Sequence, residues 1–277
     1  MRVGFLGPSG TFAEEALRAS APDGVEEVPY PTVWETVMAV HEGAVDQAVV
    51  PIENSLEGSV TTTLDALAGD AAGVRIVAEV VRPIEHCLVA REGVALGDVT
   101  RVLSHPQALA QCARFLQAKL PRAGTEVSGS TAEAVRSAVA SAEPLAAIGT
   151  RLAAELYGGA LLAEGVEDRP DNLTRFVWLG PEGTAPHAPP SKTSIVFWGF
   201  NDESPGALVA VLRELADRGV NLTKIESRPR RVQLGHYMFF ADLDGADSDP
   251  AVREALVGLS RRVETLRVLG SYAVIPT

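Results

Sequence analysis

The chain has 277 residues, 46% hydrophobic and 22% charged, enough to bury the cores of two globular domains and too apolar for a disordered or collagen-like polypeptide. With 36 Asp and Glu against 24 Lys and Arg, its formal charge of −12 argues against a nucleic-acid or anionic-membrane partner and obliges any anionic ligand to find a local positive field. Only Cys87 and Cys112 are present, which excludes a disulfide scaffold or a CxxC zinc site, and no run of 18 apolar residues offers a membrane span.

At the start of the chain Gly4, Gly7 and Pro8 interrupt the apolar residues before a secretory h-region can form, so a cytosolic protein is expected. Val3 to Leu6 reads as a buried strand, followed by Gly7-Pro8-Ser9-Gly10-Thr11-Phe12 and a helix from about Thr11. Free backbone N–H groups and the hydroxyls of Ser9 and Thr11 meet there at a positive helix end, which suits a carboxylate or phosphate; a tight capped turn reads equally well. The GxxGxxG spacing, with Pro8 inside it, is wrong for a dinucleotide fingerprint.

Gln47 to Ile52 is a second apolar strand, and Glu53, Asn54, Ser55 and Ser59 crowd its carboxyl end, where open α/β sheets bind ligands. A helix follows from about Val60. Further strands are predicted at Arg75 to Val80, Cys87 to Ala90, Arg101 to Leu103 and Leu145 to Ile148, with helices from about Pro106, Thr131 and Thr150. This alternation predicts an α/β domain with a mostly parallel sheet.

Two of the connecting turns are polar. Ser104-His105-Pro106-Gln107, with Gln111 one turn on, offers an acid or base in His105 that can equally be a simple cap. Gly129-Ser130-Thr131-Ala132-Glu133 has the form of a capping box. At Asn172 to Trp178 a polar turn runs into an apolar strand, where Thr174 offers a hydroxyl, Arg175 a guanidinium fork and Phe176 an apolar wall. No HExxH, GxSxG or Walker loop occurs, and the histidines at 41, 86, 105, 187 and 236 lack metal spacing, so no metal or cofactor is expected.

Residues 180–191 carry four prolines and two glycines without hydrophobic period and read as a linker. Beyond it come a strand from Thr193 to Phe200, a helix opened by Ser204-Pro205-Gly206, strands at Asn221 to Arg228 and Gly235 to Leu243, a helix from Asp249-Pro250, and a strand from Thr265 to Tyr272. The order βαββαβ is ferredoxin-like, a topology that by itself fixes no function.

Taken in order, Gly7 to Phe12, Val50 to Ser55, Ser104 to Gln107 and Asn172 to Phe176 resemble the prephenate dehydratase family. The last part, with Gly206-Ala207-Leu208 and Glu226-Ser227-Arg228-Pro229, is similar to its ACT regulatory domain. The resemblance implies a two-lobed, periplasmic-binding-protein-like α/β catalytic domain over residues 1–180, followed by a linker at 181–192 and a ferredoxin-like ACT domain at 193–277. Lobe 1 is expected at about 1–77 plus 168–180 and lobe 2 at about 78–167.

The implied reaction is the cofactor-free decarboxylating dehydration of prephenate to phenylpyruvate, a carbon–oxygen lyase step in phenylalanine synthesis controlled by L-phenylalanine. Thr174 is expected to donate to the departing hydroxyl, and Glu53 to orient substrate or promote carboxylate loss by repulsion. Arg175 and the helix starts at Thr11, Ser104 and Thr131 are expected to hold carboxylates, with Asn54, Ser55, Gln107, Ser130 and Phe176 completing the substrate site. Phenylalanine is expected on Asn201, Pro205, Gly206, Ala207, Leu208, Glu226, Ser227 and Arg228, at an interface within a homodimer or homotetramer. An arogenate dehydratase and a non-catalytic amino-acid sensor are the alternatives, the second disfavoured by the presence of both Thr174 and Glu53.

Overall fold

Short strands alternate with helices and carry the first part of the chain through β1 (Arg2–Leu6), α1 (Phe12–Ser20), β2 (Glu26–Tyr30), α2 (Val33–His41), β3 (Gln47–Asn54), β4 (Gly58–Ser59), α3 (Thr61–Ala68) and β5 (Val74–Pro83), with α1 and α2 capped by Thr11 and Thr32. The chain then builds a second lobe from β6 (Cys87–Ala90), β7 (Arg101–Ser104), α4 (Pro106–Gln111), α5 (Ala113–Lys119), β8 (Gly124–Val127), α6 (Thr131–Ala140), β9 (Leu145–Gly149), α7 (Arg151–Tyr157) and β10 (Ala160–Glu164). It returns to the first lobe as β11 (Leu173–Pro181). The structure is a computed structural model and describes residues 1–200, 204–230, 232 and 235–275.

Both sheets are mixed rather than mostly parallel. In lobe 1, β2, β1 and β3 run parallel, while β11 lies antiparallel between β3 and β5. The reason is the route of the chain: β11 comes back from the second lobe and enters the sheet from the opposite end. In lobe 2, β7 is parallel to β8 and β9, β6 runs antiparallel to β9, and β10 pairs antiparallel with β6. Strand β5 stays paired with β11 as far as Pro83, so the crossing between lobes falls after residue 83 and not at 77.

Alternation along β11 divides the lobe 1 sheet into two faces. Phe176 and Trp178 join Phe5 and Leu17 under α1, while Val177 and Leu179 join α2 and α3 on the other side. That second face also receives the C-terminal domain.

The C-terminal domain follows the expected order: β12 (Lys192–Trp198), α8 (Ala207–Ala216), β13 (Leu222–Pro229), β14 (Tyr237–Asp244), α9 (Pro250–Ser260) and β15 (Thr265–Tyr272), with strands arranged β13-β14-β12-β15. Ile195, Phe197, Ala241 and Leu243 pack under α8 and α9. The alternate residues, Val196, Phe240, Leu269 and Tyr272, share one core with Leu64, Val74 and Ile76 of lobe 1. Gly270 is required there, since a Cβ at this position would run into the Ile76 carbonyl. The chain ends by adding β16 (Val274–Ile275) to the lobe 1 sheet, parallel to β5.

The Pro-rich linker is docked, not loose. Its His187 ring stands 4.9 Å from the Trp178 ring, its Nε2 is 2.9 Å from Gln47 Oε1, and its N–H donates to the Val77 carbonyl.

Candidate active site

A cavity of about 340 Å³ opens between the lobes. Thr11, Phe12, Asn54, Thr174 and Phe176 line it from lobe 1, and His105, Gln107, Gln111, Ser130 and Thr131 from lobe 2; His86 and Asn172, from the two crossings, complete the wall. Helices α1, α4 and α6 begin at it, capped by Thr11, His105 and Ser130, whose side chains accept from Glu14, Gln107 and Glu133 N–H groups. The remaining free N–H groups of these helix starts supply positive potential. Among the described residues, the wall contains no Lys, Arg, Asp or Glu. An anion entering this cavity meets helix dipoles and neutral donors instead of a cation.

The polarity of the wall can be traced from the backbone outward. Leu56 and Glu57 N–H groups, each 3.0 Å away, donate to Asn54 Oδ1 and thereby fix its amide. Asn54 Nδ2 then donates to Thr174 Oγ1 and to Asn172 Oδ1, both at 2.8 Å. Asn172 Nδ2 in turn donates to Gln111 Oε1 at 3.2 Å, the oxygen that also faces His86 Nε2 at 3.2 Å. Because an amide oxygen carries no proton, His86 Nε2 must donate and its Nδ1 is left as an acceptor. Because the Thr174 oxygen already accepts from Asn54, its own proton is free for a partner in the cavity.

His86 is buried, its Nδ1 has no hydrogen-bond partner, and Phe12 meets its ring edge-on at 5.3 Å. Burial lowers its pKa from the ordinary 6.5, against the opposing pull of its Gln111 hydrogen bond and of Glu167. The unfolded chain therefore binds this proton at higher pH than the folded one. The stabilisation is complete above about pH 6.5 and is lost as pH falls below that value toward the folded pKa. His86→Gln, which keeps a donor for Gln111 but does not titrate, is expected to flatten the decline in urea midpoint between pH 7.5 and 5.5; an unchanged slope would show that His86 is not held neutral.

Of the residues expected in the site, Thr11, Asn54, Gln107, Ser130, Thr131, Thr174 and Phe176 meet at the cavity. Thr11 contributes through the helix start, since its hydroxyl donates to the Leu6 carbonyl at 2.7 Å. Ser104, Ser55, Glu53 and Arg175 are placed elsewhere. Ser104 is wholly buried and donates to the Ile148 carbonyl at 2.7 Å; His105, one residue on, is the helix cap. The Ser55 hydroxyl accepts from Leu173 N–H at 2.9 Å and ties β3 to β11.

Arg175 and Glu53 correct two expectations, that Arg175 holds a substrate carboxylate and that Glu53 orients the substrate or promotes carboxylate loss. They follow Thr174 and precede Asn54 on paired strands, so alternation turns them to the opposite face. There Arg175 binds Glu53 at 2.5 Å, Glu79 at 2.6 Å and Asp242 at 2.9 Å. Burial alone would lower the Arg175 pKa, but Asp242 and Glu79 overcome it and raise the value, so the guanidinium is permanently charged, with both Nη atoms engaged.

Phe12, His86, Gln111 and Asn172 belong to the site although they received no role from the sequence. Asn172 opens the polar motif at 172–178 and Gln111 stands one turn beyond Gln107, yet neither had a role of its own. A lone histidine ahead of an apolar strand carries no such signal.

In the C-terminal domain, Asn201 lies outside the described residues. Pro205 and Gly206 precede α8, which Ala207 and Leu208 begin, and Gly206 adopts φ +85° as its N-cap. On β13, Ser227 is exposed while Glu226 and Arg228 turn toward lobe 1. Arg228 grips Asp65 with two bonds of 2.8 Å, and the Ser59 hydroxyl donates to Glu226. Among the described residues no group of His, Cys, Asp and Glu is arranged to hold a metal ion.

A family model described as prephenate dehydratase matches residues 3–184, and one described as ACT domain matches residues 194–261. A prephenate dehydratase of Mycolicibacterium vanbaalenii is 43% identical over 285 residues, covering 98% of this chain and 90% of the relative. The solved structure of a prephenate dehydratase in complex with L-Phe from Arthrobacter aurescens superposes with a TM-score of 0.90 at 41% identity, covering 99% of this chain and 90% of the other. A structure described as GqqA, a quorum quenching acylase, superposes with a TM-score of 0.88 at 33% identity, covering 100% of this chain and 99% of the other.

Proposed function

The chain belongs to the prephenate dehydratase family, and from that premise we propose that it turns prephenate into phenylpyruvate in the interlobe cavity, under control of phenylalanine through its ACT domain. The observation that carries the reading is Thr174, whose oxygen is occupied by Asn54 and whose proton is free for the cavity.

Prephenate is a dianion, and the reaction consumes one proton: the dianion and H⁺ give the phenylpyruvate monoanion, carbon dioxide and water. The C4–O bond breaks with the oxygen leaving as water, while the ring carboxylate loses carbon dioxide and its bonding pair completes the aromatic ring. Thr174 donates a hydrogen bond to the departing oxygen. A threonine hydroxyl is a weak acid, so its contribution is stabilisation of charge that develops on that oxygen and not outright proton release.

The helix starts at Thr11, His105 and Ser130 receive the substrate's carboxylates. A wall without Lys or Arg suits a carboxylate that must give up its charge, because a fixed cation would stabilise the ground state more than the transition state. Phe12 and Phe176 supply apolar walls for the ring that becomes aromatic.

The described wall also offers no carboxylate to pair with an ammonium, which favours prephenate over arogenate. No observation favours acyl transfer: Cys87 is buried, with its thiol pushed up to about 11 by that burial. A homo-oligomer assembled through the ACT domains accords with exposed Val209, Ile225, Tyr237 and Val257, and residence in the cytoplasm with two free, buried cysteines.

The test is incubation of the purified protein with prephenate and, separately, arogenate, following aromatic product by absorbance with and without phenylalanine. Product from prephenate that falls when phenylalanine is added is the expected result. Product from arogenate alone would move the substrate assignment, and product from neither would leave an amino-acid sensor.

A further inference from the structure

The Thr174–Asn54 hydrogen bond is one side of a rung between β11 and β3; the other side is the Arg175–Glu53 ion pair on the next residues of the same two strands. Three strands of the ACT domain reach this far side. Asp242 of β14 pairs with Arg175 at 2.9 Å, Lys224 of β13 with Glu53 at 3.3 Å, and Lys192 of β12 with Glu79, itself 2.6 Å from Arg175. We propose that Arg175 is a positioning residue through which the ACT domain sets the geometry of Thr174 and Asn54, so that phenylalanine acts on the reaction by displacing the charges that hold this rung. The inference rests on the reading of the cavity as the prephenate site.

The groups are placed so that small displacements matter. Glu79 is 2% exposed, Asp242 11% and Arg175 18%, and interaction between charges so screened from water falls steeply as they separate. Asp242 is itself fixed: Ser194 Oγ donates to it at 2.6 Å and lies 2.6 Å from the buried Tyr272 hydroxyl. Arg175 Nη1 donates to Glu53 and Nη2 to Glu79 and Asp242, while Nε has no partner, so the guanidinium can turn only by abandoning one of its carboxylates.

The domains are also joined away from this cluster. The shared apolar core, the added strand β16, and Arg267, whose Nη1 donates to the Leu67 and Ala68 carbonyls, already join them. Buried ion pairs replace apolar contact at little or no gain in stability, and their best-attested use is to fix register. This one fixes register directly behind the hydroxyl proposed to act on the substrate.

The experiment compares wild type, Asp242→Asn and, as an interdomain contact away from the rung, Arg267→Met. Prephenate kcat and KM are measured with and without saturating phenylalanine, and phenylalanine binding is followed separately by calorimetry. Wild type is expected to change rate roughly fivefold or more with phenylalanine. Asp242→Asn should still bind phenylalanine, respond less than about twofold, and show a lowered kcat at a nearly unchanged KM, with Asp242→Glu restoring part of the response. Arg267→Met should respond as wild type does.

A full response in Asp242→Asn, or equal loss in Arg267→Met, would overturn the proposal; in the second case the cluster would be adhesive only. If Asp242→Asn does not fold, Lys224→Met carries the same test from the other end of the rung. Wild type that binds phenylalanine but never turns over prephenate would overturn the reading of the cavity and this proposal with it, a result distinct from either of the former.

Discussion

Thr174→Val is expected to lower kcat on prephenate by about 10²- to 10³-fold, the range for removing one preorganised donor from developing negative charge, while KM stays within about threefold. Valine keeps the volume and branching of the side chain, so Phe176 and the strand pairing are undisturbed. The loss should fall on kcat because the departing oxygen gains negative charge only as its bond to carbon breaks, and a donor aimed at it is felt most in the transition state. The fold should lose only about 1 kcal/mol. Asn54 Nδ2 would forfeit its acceptor at residue 174, yet it retains Asn172 Oδ1 at 2.8 Å and the Leu173 carbonyl at 3.3 Å. Thr174→Ser, which restores the hydroxyl and its Asn54 partner, should return activity to within about tenfold of wild type. Steady-state kinetics on both variants, with urea midpoints to exclude unfolding, decide the matter. A valine variant within about tenfold of wild type would remove Thr174 from the chemistry.

How legible this site was depended on whether its residues are specified locally or by strand pairing. Thr11, Ser130 and Pro106 announced helix starts because capping is a property of three or four consecutive residues, and all three helices begin where the caps stand. The βαββαβ order was equally plain, since each element there has its own hydrophobic period and turn. Glu53-Asn54-Ser55 misled because they read as one polar loop. Glu53 and Asn54 still belong to β3, so consecutive side chains point to opposite faces and only Asn54 reaches the cavity. The same period separates Thr174 from Arg175. Which of the two faces the cleft is decided by what covers the sheet, and the covering domain lies beyond the linker. His86 was less legible still, and Asn172, though it opens a polar motif, gave no sign of its partners. They sit at the two crossings between lobes, where the fold alone creates their proximity to each other and to Gln111.

Gly10→Ala is expected to destabilise the protein by about 2–5 kcal/mol and to lower kcat/KM by about 10- to 100-fold, because Gly10 is the point at which the lobes touch behind the cavity. Its φ of +91° costs an L-residue about 1–2 kcal/mol. Its Cβ would also lie 2.9 Å from Ala153 Cβ and 3.0 Å from Ala153 Cα, contacts that force α7 away and cost a further 1–3 kcal/mol or so. The loop is held there from both sides. The Thr150 hydroxyl donates to the Gly10 carbonyl at 2.6 Å and the Tyr157 hydroxyl to the Ser9 carbonyl at 2.7 Å, while Gly10 N–H donates to buried Glu14 at 2.5 Å. What the sequence presented as an anion-binding turn is therefore also the joint that sets the distance between the α1 and α6 helix starts. Separating them by even an ångström would leave a dianion with one carboxylate poorly held, which is why binding and turnover should both suffer. Gly24→Ala provides the comparison. Its φ of +78° imposes similar backbone strain, but nothing lies within 4 Å of the added methyl and the residue does not line the cavity. The excess loss of Gly10→Ala over Gly24→Ala in urea midpoint and in kcat/KM thus measures the joint itself, and equal values for the two variants would mean that the lobes are positioned by something else.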